Sequence, residues 1–158
     1  MSFYIKFLDK PIPTTWLLPH EKGLMARVTI GDFSEDVTIL TGYWQKEDYI
    51  AQWIKGVRRL INGVNGTKSA IVTAVHDPQN PKHGYIVQWW PMYKEGARVY
   101  VTNSALPYDK KGPPVDLANL YDYVEDRQID TDDGEQPSEW ITTIPELQEF
   151  LNSLQSSH

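Results

Sequence analysis

The sequence predicts an α+β fold, helices packed on an antiparallel β-sheet, from three observations. First, Tyr49, Ile50, Trp53, Val57, Leu60 and Ile61 fall on one side of a helix that runs on from Tyr43 to Ile61, and Lys46, Glu47, Lys55, Arg58 and Arg59 fall on the other. Second, the extended segments Ser69–Val75, Tyr85–Tyr93 and Ala97–Ser104 follow one another through polar turns, which is the pattern of an antiparallel meander. Third, Ile144, Leu147, Phe150, Leu151 and Leu154 share one side of a final helix behind Thr143, with Glu146 at capping-box spacing.

The remaining elements follow in order. Phe3–Leu8 has the composition of an edge strand, which Pro11 and Pro13 bring to an end. Trp16, Leu17 and Leu18 are expected to lie against the core surface. Alternation at Val28, Ile30, Val37 and Ile39 marks a hairpin from Leu24 to Leu40, with its turn at Asp32–Asp36. Thr41-Gly42 leads into the central helix, and Gly63 follows it where a glycine cap belongs. Ser69–Val75 is apolar or small on both faces and so reads as an inner strand. Pro91 cannot donate to a ladder, which places a bulge or an edge within the aromatic strand Tyr85–Tyr93. Asp116 is a candidate N-cap for a second helix that buries Leu117, Leu120, Tyr121 and Val124, and Ser138–Ile141 is short and extended.

A chain of 158 residues with 41% hydrophobic and 23% charged residues suits a single domain, residues 1–158, with a substantial core. The chain has no cysteine, which excludes disulfides, thiolate metal sites and cysteine nucleophiles. The N-terminus is interrupted by charge and proline before a secretory apolar stretch can form, and no run approaches the ~20 apolar residues of a membrane helix. A cytoplasmic protein is the expectation. The net charge of −6 is unevenly distributed: Asp116–Glu149 holds eleven acids against one base, Arg127, a net −10 that leaves +4 on the rest. Such a field attracts a cationic partner, although a solvated acidic face is the commoner use of such a segment.

Catalytic signatures are missing. The four histidines lack metal-ligand spacing, and Asp130–Glu135 puts its glycine at position 5 of a calcium loop rather than 6. No catalytic residue, cofactor or metal is predicted. Tyr85, Trp89, Tyr93 and Tyr100 could stack bases if Lys68, Lys82, Lys94 and Arg98 gathered on one side, which makes a single-stranded nucleic-acid-binding module the second reading. Strand aromatics serve cores more often, and a net negative chain repels phosphate. A metal-dependent hydrolase using the acidic loop is a third and weaker reading.

One ordered set of residues carries a resemblance. Tyr43-Trp44, Asp48-Tyr49 and Trp53, then Lys68-Ser69-Ala70, Trp90, Val99-Tyr100-Val101 with Asn103, and Ser138-Glu139-Trp140 before the last helix resemble the immunity proteins of bacterial contact-dependent growth inhibition systems, the CdiI family. The similarity runs from about Val37 to Leu154 and is nearest to the branch paired with colicin-like toxin domains that cleave ribosomal RNA. It implies a two-layer α+β protein with a strongly twisted antiparallel sheet, similar in shape to Whirly proteins. It also implies no catalysis, and binding in the cytoplasm to the toxin domain of a cognate CdiA-type effector. On that reading Asp126, Asp130, Asp132, Asp133 and Glu135 are the candidate partner-binding residues, and Trp44, Trp53 and Trp140 belong to the core.

Overall fold

A computed structural model describes residues 2–17, 21–76, 86–107, 117–128 and 138–157. The fold is α+β, as expected, but it has two antiparallel sheets rather than one. The first sheet has the order β1-β2-β3, from Phe3–Phe7, Gly23–Ile30 and Phe33–Leu40. The second contains β4 (Lys68–Val75), β5 (Ile86–Glu95), β6 (Arg98–Val101) and β8 (Trp140–Thr143) in that order, with β7 (Ser104–Pro107) also paired to β5. Helix α1 spans Lys46–Asn62 and α2 spans Ile144–Ser157. The helices pack on each other, α1 also against β4 and α2 against β1 and β8.

The sheets are joined by side chains. Phe33 stacks on Trp140 with ring centroids 4.2 Å apart, and Trp90 lies 5.6 Å from Trp140. Phe3 meets Phe150 of α2 edge-on at 5.2 Å, and Phe7 stacks on Trp53 of α1 at 5.5 Å. Trp53 is fully buried, as assigned, whereas Trp44 and Trp140 are only partly buried against the core.

The apolar side of α1 is buried at Tyr49, Ile50, Trp53, Val57 and Leu60, while Ile61 stays partly exposed. The helix begins at Lys46, after a capping box in which the Gln45 side chain takes the Asp48 N–H and the Asp48 carboxylate takes the Gln45 N–H at 2.8 Å. Its glycine neighbour, Gly63, ends the helix through an extended conformation, and Lys94 covers the Gly63 carbonyl at 2.6 Å.

β4 is not an inner strand. It is the outermost strand of its sheet, with all residues from Ser69 to Val75 buried. Its free edge is paired by side chains of α1 instead of by a further strand. The Gln52 amide donates to the Ala70 carbonyl and accepts the Val72 N–H, both at 2.8 Å. The Trp53 indole donates to the Val72 carbonyl at 2.7 Å, and Arg59 Nε donates to the Lys68 carbonyl at 2.7 Å. The Tyr49 hydroxyl accepts the Val75 N–H at 3.0 Å and donates to the Leu40 carbonyl at 2.6 Å, which ties the two sheets together. Close approach is possible because residue 56 is glycine: a Cβ there would lie 2.5 Å from the Ala70 carbonyl oxygen.

Other expectations need local correction. The hairpin turn is Gly31-Asp32 alone, since Ile30 pairs with Phe33. Gly31 has φ 62°, so two residues reverse the chain where five were expected. Ala97–Ser104 is divided into β6 and β7 at Thr102-Asn103. Pro91 faces that break, where its carbonyl accepts the Thr102 N–H at 3.0 Å, and the irregularity in register falls in β4 between Val72 and Ala74. The helix expected after Asp116 is a 3₁₀ segment, Leu117–Tyr123, which buries Leu120 and is followed by buried Val124; Asp116 lies outside the described residues. Thr143 Oγ1 accepts the Glu146 N–H at 3.4 Å, but the Glu146 carboxylate takes the Thr142 hydroxyl, so only half of that capping box forms. Trp16 is 48% exposed rather than laid on the core.

Gln52→Met keeps the side-chain volume but leaves a buried carbonyl and a buried N–H unpaired, so it is expected to cost roughly 2–4 kcal/mol of stability. Trp53→Ala is expected to cost ~3–5 kcal/mol. Urea unfolding measures both, as a lower midpoint with unchanged slope.

Candidate functional site

The segment from Leu120 to Gln128 crosses the outer face of the five-stranded sheet. Leu120 and Val124 are buried, and the Tyr93 hydroxyl donates to the Glu125 carbonyl at 2.9 Å, which holds the backbone against β5. Burial together with the nearby Glu125, Asp126 and Glu139 charges raises the Tyr93 pKa above its usual 10.0.

Arg127, the one base of the acidic segment, is bound within the chain. It forms a two-pronged ion pair with Glu139, at 2.8 Å through both Nε and Nη2. It also reaches Glu95 at 3.4 Å, and its guanidinium lies 3.7 Å over the Tyr100 ring. The Glu139 hydrogen bond, reinforced by the Glu139 and Glu95 charges, pushes the guanidinium pKa further up.

Between this segment and the bend at Thr102–Leu106 lies a groove of about 470 Å³. Trp89, Pro91 and Tyr93, alternate residues of β5, form one side, and Tyr123, Glu125 and Asp126 form another. Gln128 and Ser138, which flank residues 129–137 in the sequence, also line it.

Of the candidate residues, Asp126 is placed at this groove with its side chain 94% exposed, paired to Lys68. Asp130, Asp132, Asp133 and Glu135 lie outside the described residues. Glu125, Tyr123 and the Arg127–Glu139 pair were not singled out by sequence reasoning. The signal for the pair was present: a lone arginine among eleven acids must be drawn to one of them.

Three of the four aromatic residues named for base stacking are described, and each makes a contact within the chain. Trp89 is buried and its indole donates to Ser104 Oγ at 2.9 Å, Tyr93 holds Glu125, and Tyr100 lies under Arg127. Tyr85 and Lys82 lie outside the described residues. Lys68 is paired to Asp126, and Lys94 covers the end of α1. Among the described residues no group of three His, Cys, Asp or Glu side chains is arranged to hold a metal, and no helix is long and apolar enough to cross a membrane.

Residues 39–150 match the family model described as the CdiI N-terminal domain. The chain belongs to the CdiI family. It is 28% identical over 127 residues to the protein named Immunity protein CdiI of Enterobacter cloacae subsp. cloacae, a match that covers 80% of this chain and 83% of that one. Its fold is similar to a chain of the CdiA-CT/CdiI toxin and immunity complex from Enterobacter cloacae, with a TM-score of 0.81 at 24% identity over 98% of this chain and 99% of that chain. The resemblance drawn from Tyr43-Trp44 through Trp140 is therefore borne out at the level of the family and the α+β fold.

The Lys68 hydrogen bond and charge lower the Asp126 pKa below 3.8. Because the folded value lies below the unfolded one, the pair stabilises the fold at neutral pH and loses that contribution as pH falls through the folded value. Carboxyl NMR titration is expected to show Asp126 titrating below 3.8 and returning toward that value in Lys68→Ala.

Proposed function

We propose that this chain is an immunity protein that binds the C-terminal toxin domain of a CdiA-type contact-dependent growth inhibition effector and neutralises it by occluding its active site. It acts as one half of a heterodimer in the cytoplasm, by binding and without turnover. The observation that carries this reading is membership of the CdiI family across residues 39–150. A relative named Immunity protein CdiI, and a similar fold solved within a toxin and immunity complex, support the partner class.

A nuclease toxin is the target that the charge distribution supports best. An enzyme that holds a phosphodiester backbone is cationic around its substrate groove, and this chain gathers a net −10 between Asp116 and Glu149. Opposed fields of this kind speed encounter more than they deepen affinity. Within that segment the only guanidinium is already neutralised by Glu139 and Glu95, so it does not offset the acids that face a partner. Asp126, Asp130, Asp132, Asp133 and Glu135 are assigned to lysines and arginines around the toxin's active site.

Co-expression with the cognate toxin domain is expected to rescue cells from growth arrest. Neutralising Asp130, Asp132 and Asp133 together to asparagine is expected to lower the association rate by about tenfold or more and to flatten its salt dependence. Stopped-flow association across a salt series checks this. An unchanged rate and slope would remove the acidic stretch from the interface.

A further inference from the structure

The groove beside Tyr93 repeats, with one component missing, an arrangement that the chain completes next door. Tyr93 and Tyr100 are directly paired across β5 and β6. Over Tyr100 lies the Arg127 guanidinium, 3.7 Å from the ring centroid and held in a two-pronged pair by Glu139. Beside Tyr93 the corresponding acid is Glu125. It is exposed, and its carboxylate has no ion pair or hydrogen bond among the described residues. Asp126 adds a second carboxylate, shared with Lys68.

The rest of the lining suits a flat cation. Trp89 and Pro91, both buried, back the Tyr93 side with apolar side chains, and the one indole donor of Trp89 is already used by Ser104. Tyr123, 41% exposed, stands on the segment opposite. An aromatic and proline surface faced by carboxylates binds guanidinium better than ammonium, because the planar, weakly hydrated group stacks and pairs at once.

We propose that this groove receives an arginine side chain presented by the toxin domain, stacked on Tyr93 and paired with Glu125. The occupant follows from charge complementarity and from the mode that Arg127 uses one strand away, and it rests on the reading of the partner as a cationic toxin. The acidic stretch 129–137 then steers the partner, and the groove anchors it.

The test uses the intact chain and the blocked tripeptides acetyl-Gly-Arg-Gly-amide and acetyl-Gly-Lys-Gly-amide, with NMR of labelled protein. The arginine peptide is expected to give saturable shifts of the Tyr93 and Tyr123 ring signals at millimolar concentration. The lysine peptide is expected to give clearly weaker ones. Glu125→Gln is expected to weaken arginine binding by about fivefold or more while the rest of the spectrum stays unchanged, since the hydrogen bond that ties Glu125 to β5 uses its main-chain carbonyl. Absent shifts at the groove, equal binding of the two peptides, or an unaffected Glu125→Gln variant would each overturn the proposal. No toxin is present in this experiment, so its failure leaves toxin neutralisation standing, and failed neutralisation in cells would leave an arginine site standing.

Discussion

The structure depends on how the open edge of β4 is closed. A strand that ends a sheet offers a row of unpaired N–H and C=O groups, and burying such a row without partners costs about 1–3 kcal/mol per group. Here α1 supplies the partners from its side chains: Gln52 to Ala70 and Val72, Trp53 to Val72, Tyr49 to Val75 and Arg59 to Lys68. The helix stands where a further strand would pair. This arrangement fixes α1 against the sheet, lets Tyr49 bind the end of β3 to the end of β4, and directs apolar packing to one side. The opposite face of β5 and β6 is left for the 120–128 segment and the groove beside it.

That outer face sorts charge by position. Arg127 would cancel part of the acidic field if it faced solvent, but Glu139, Glu95 and the Tyr100 ring hold it inward. Lys68 ties Asp126 to the rim of the sheet without covering it. Exposed ion pairs of this type add little stability. Their consequence is positional, because they hold the 120–128 segment against β5.

Much of this was legible in the sequence where one residue type admits one environment. The spacing of Tyr49, Trp53, Val57 and Leu60 allowed only a half-buried helix, and the alternation through Val28 and Ile39 marked its hairpin. The reading of β4 as an inner strand fails because apolar or small residues on both faces do not reveal whether a strand or a helix seals the edge. Gln52 was the clue: a polar residue next to Trp53 at the margin of an apolar stripe, whose amide can imitate a peptide group. The groove was not legible, since Trp89, Asn103 and Tyr123 are brought together only by the division of β6 from β7 at Thr102-Asn103. The acidic segment was visible as charge, but the free carboxylate of Glu125 could be told from the engaged one of Glu139 only once Arg127 was placed.

The central claim is that the outer face of β5 and β6, with the acidic segment rooted there, meets the toxin, while α1 and α2 serve the fold. Hydrogen exchange of the chain alone and in complex with a cognate CdiA-type toxin domain tests this most directly. The account predicts added protection in residues 86–93 and 123–139 and little change in α1 and α2. Protection confined to the helices, with the outer sheet face exchanging as in the free chain, would contradict it.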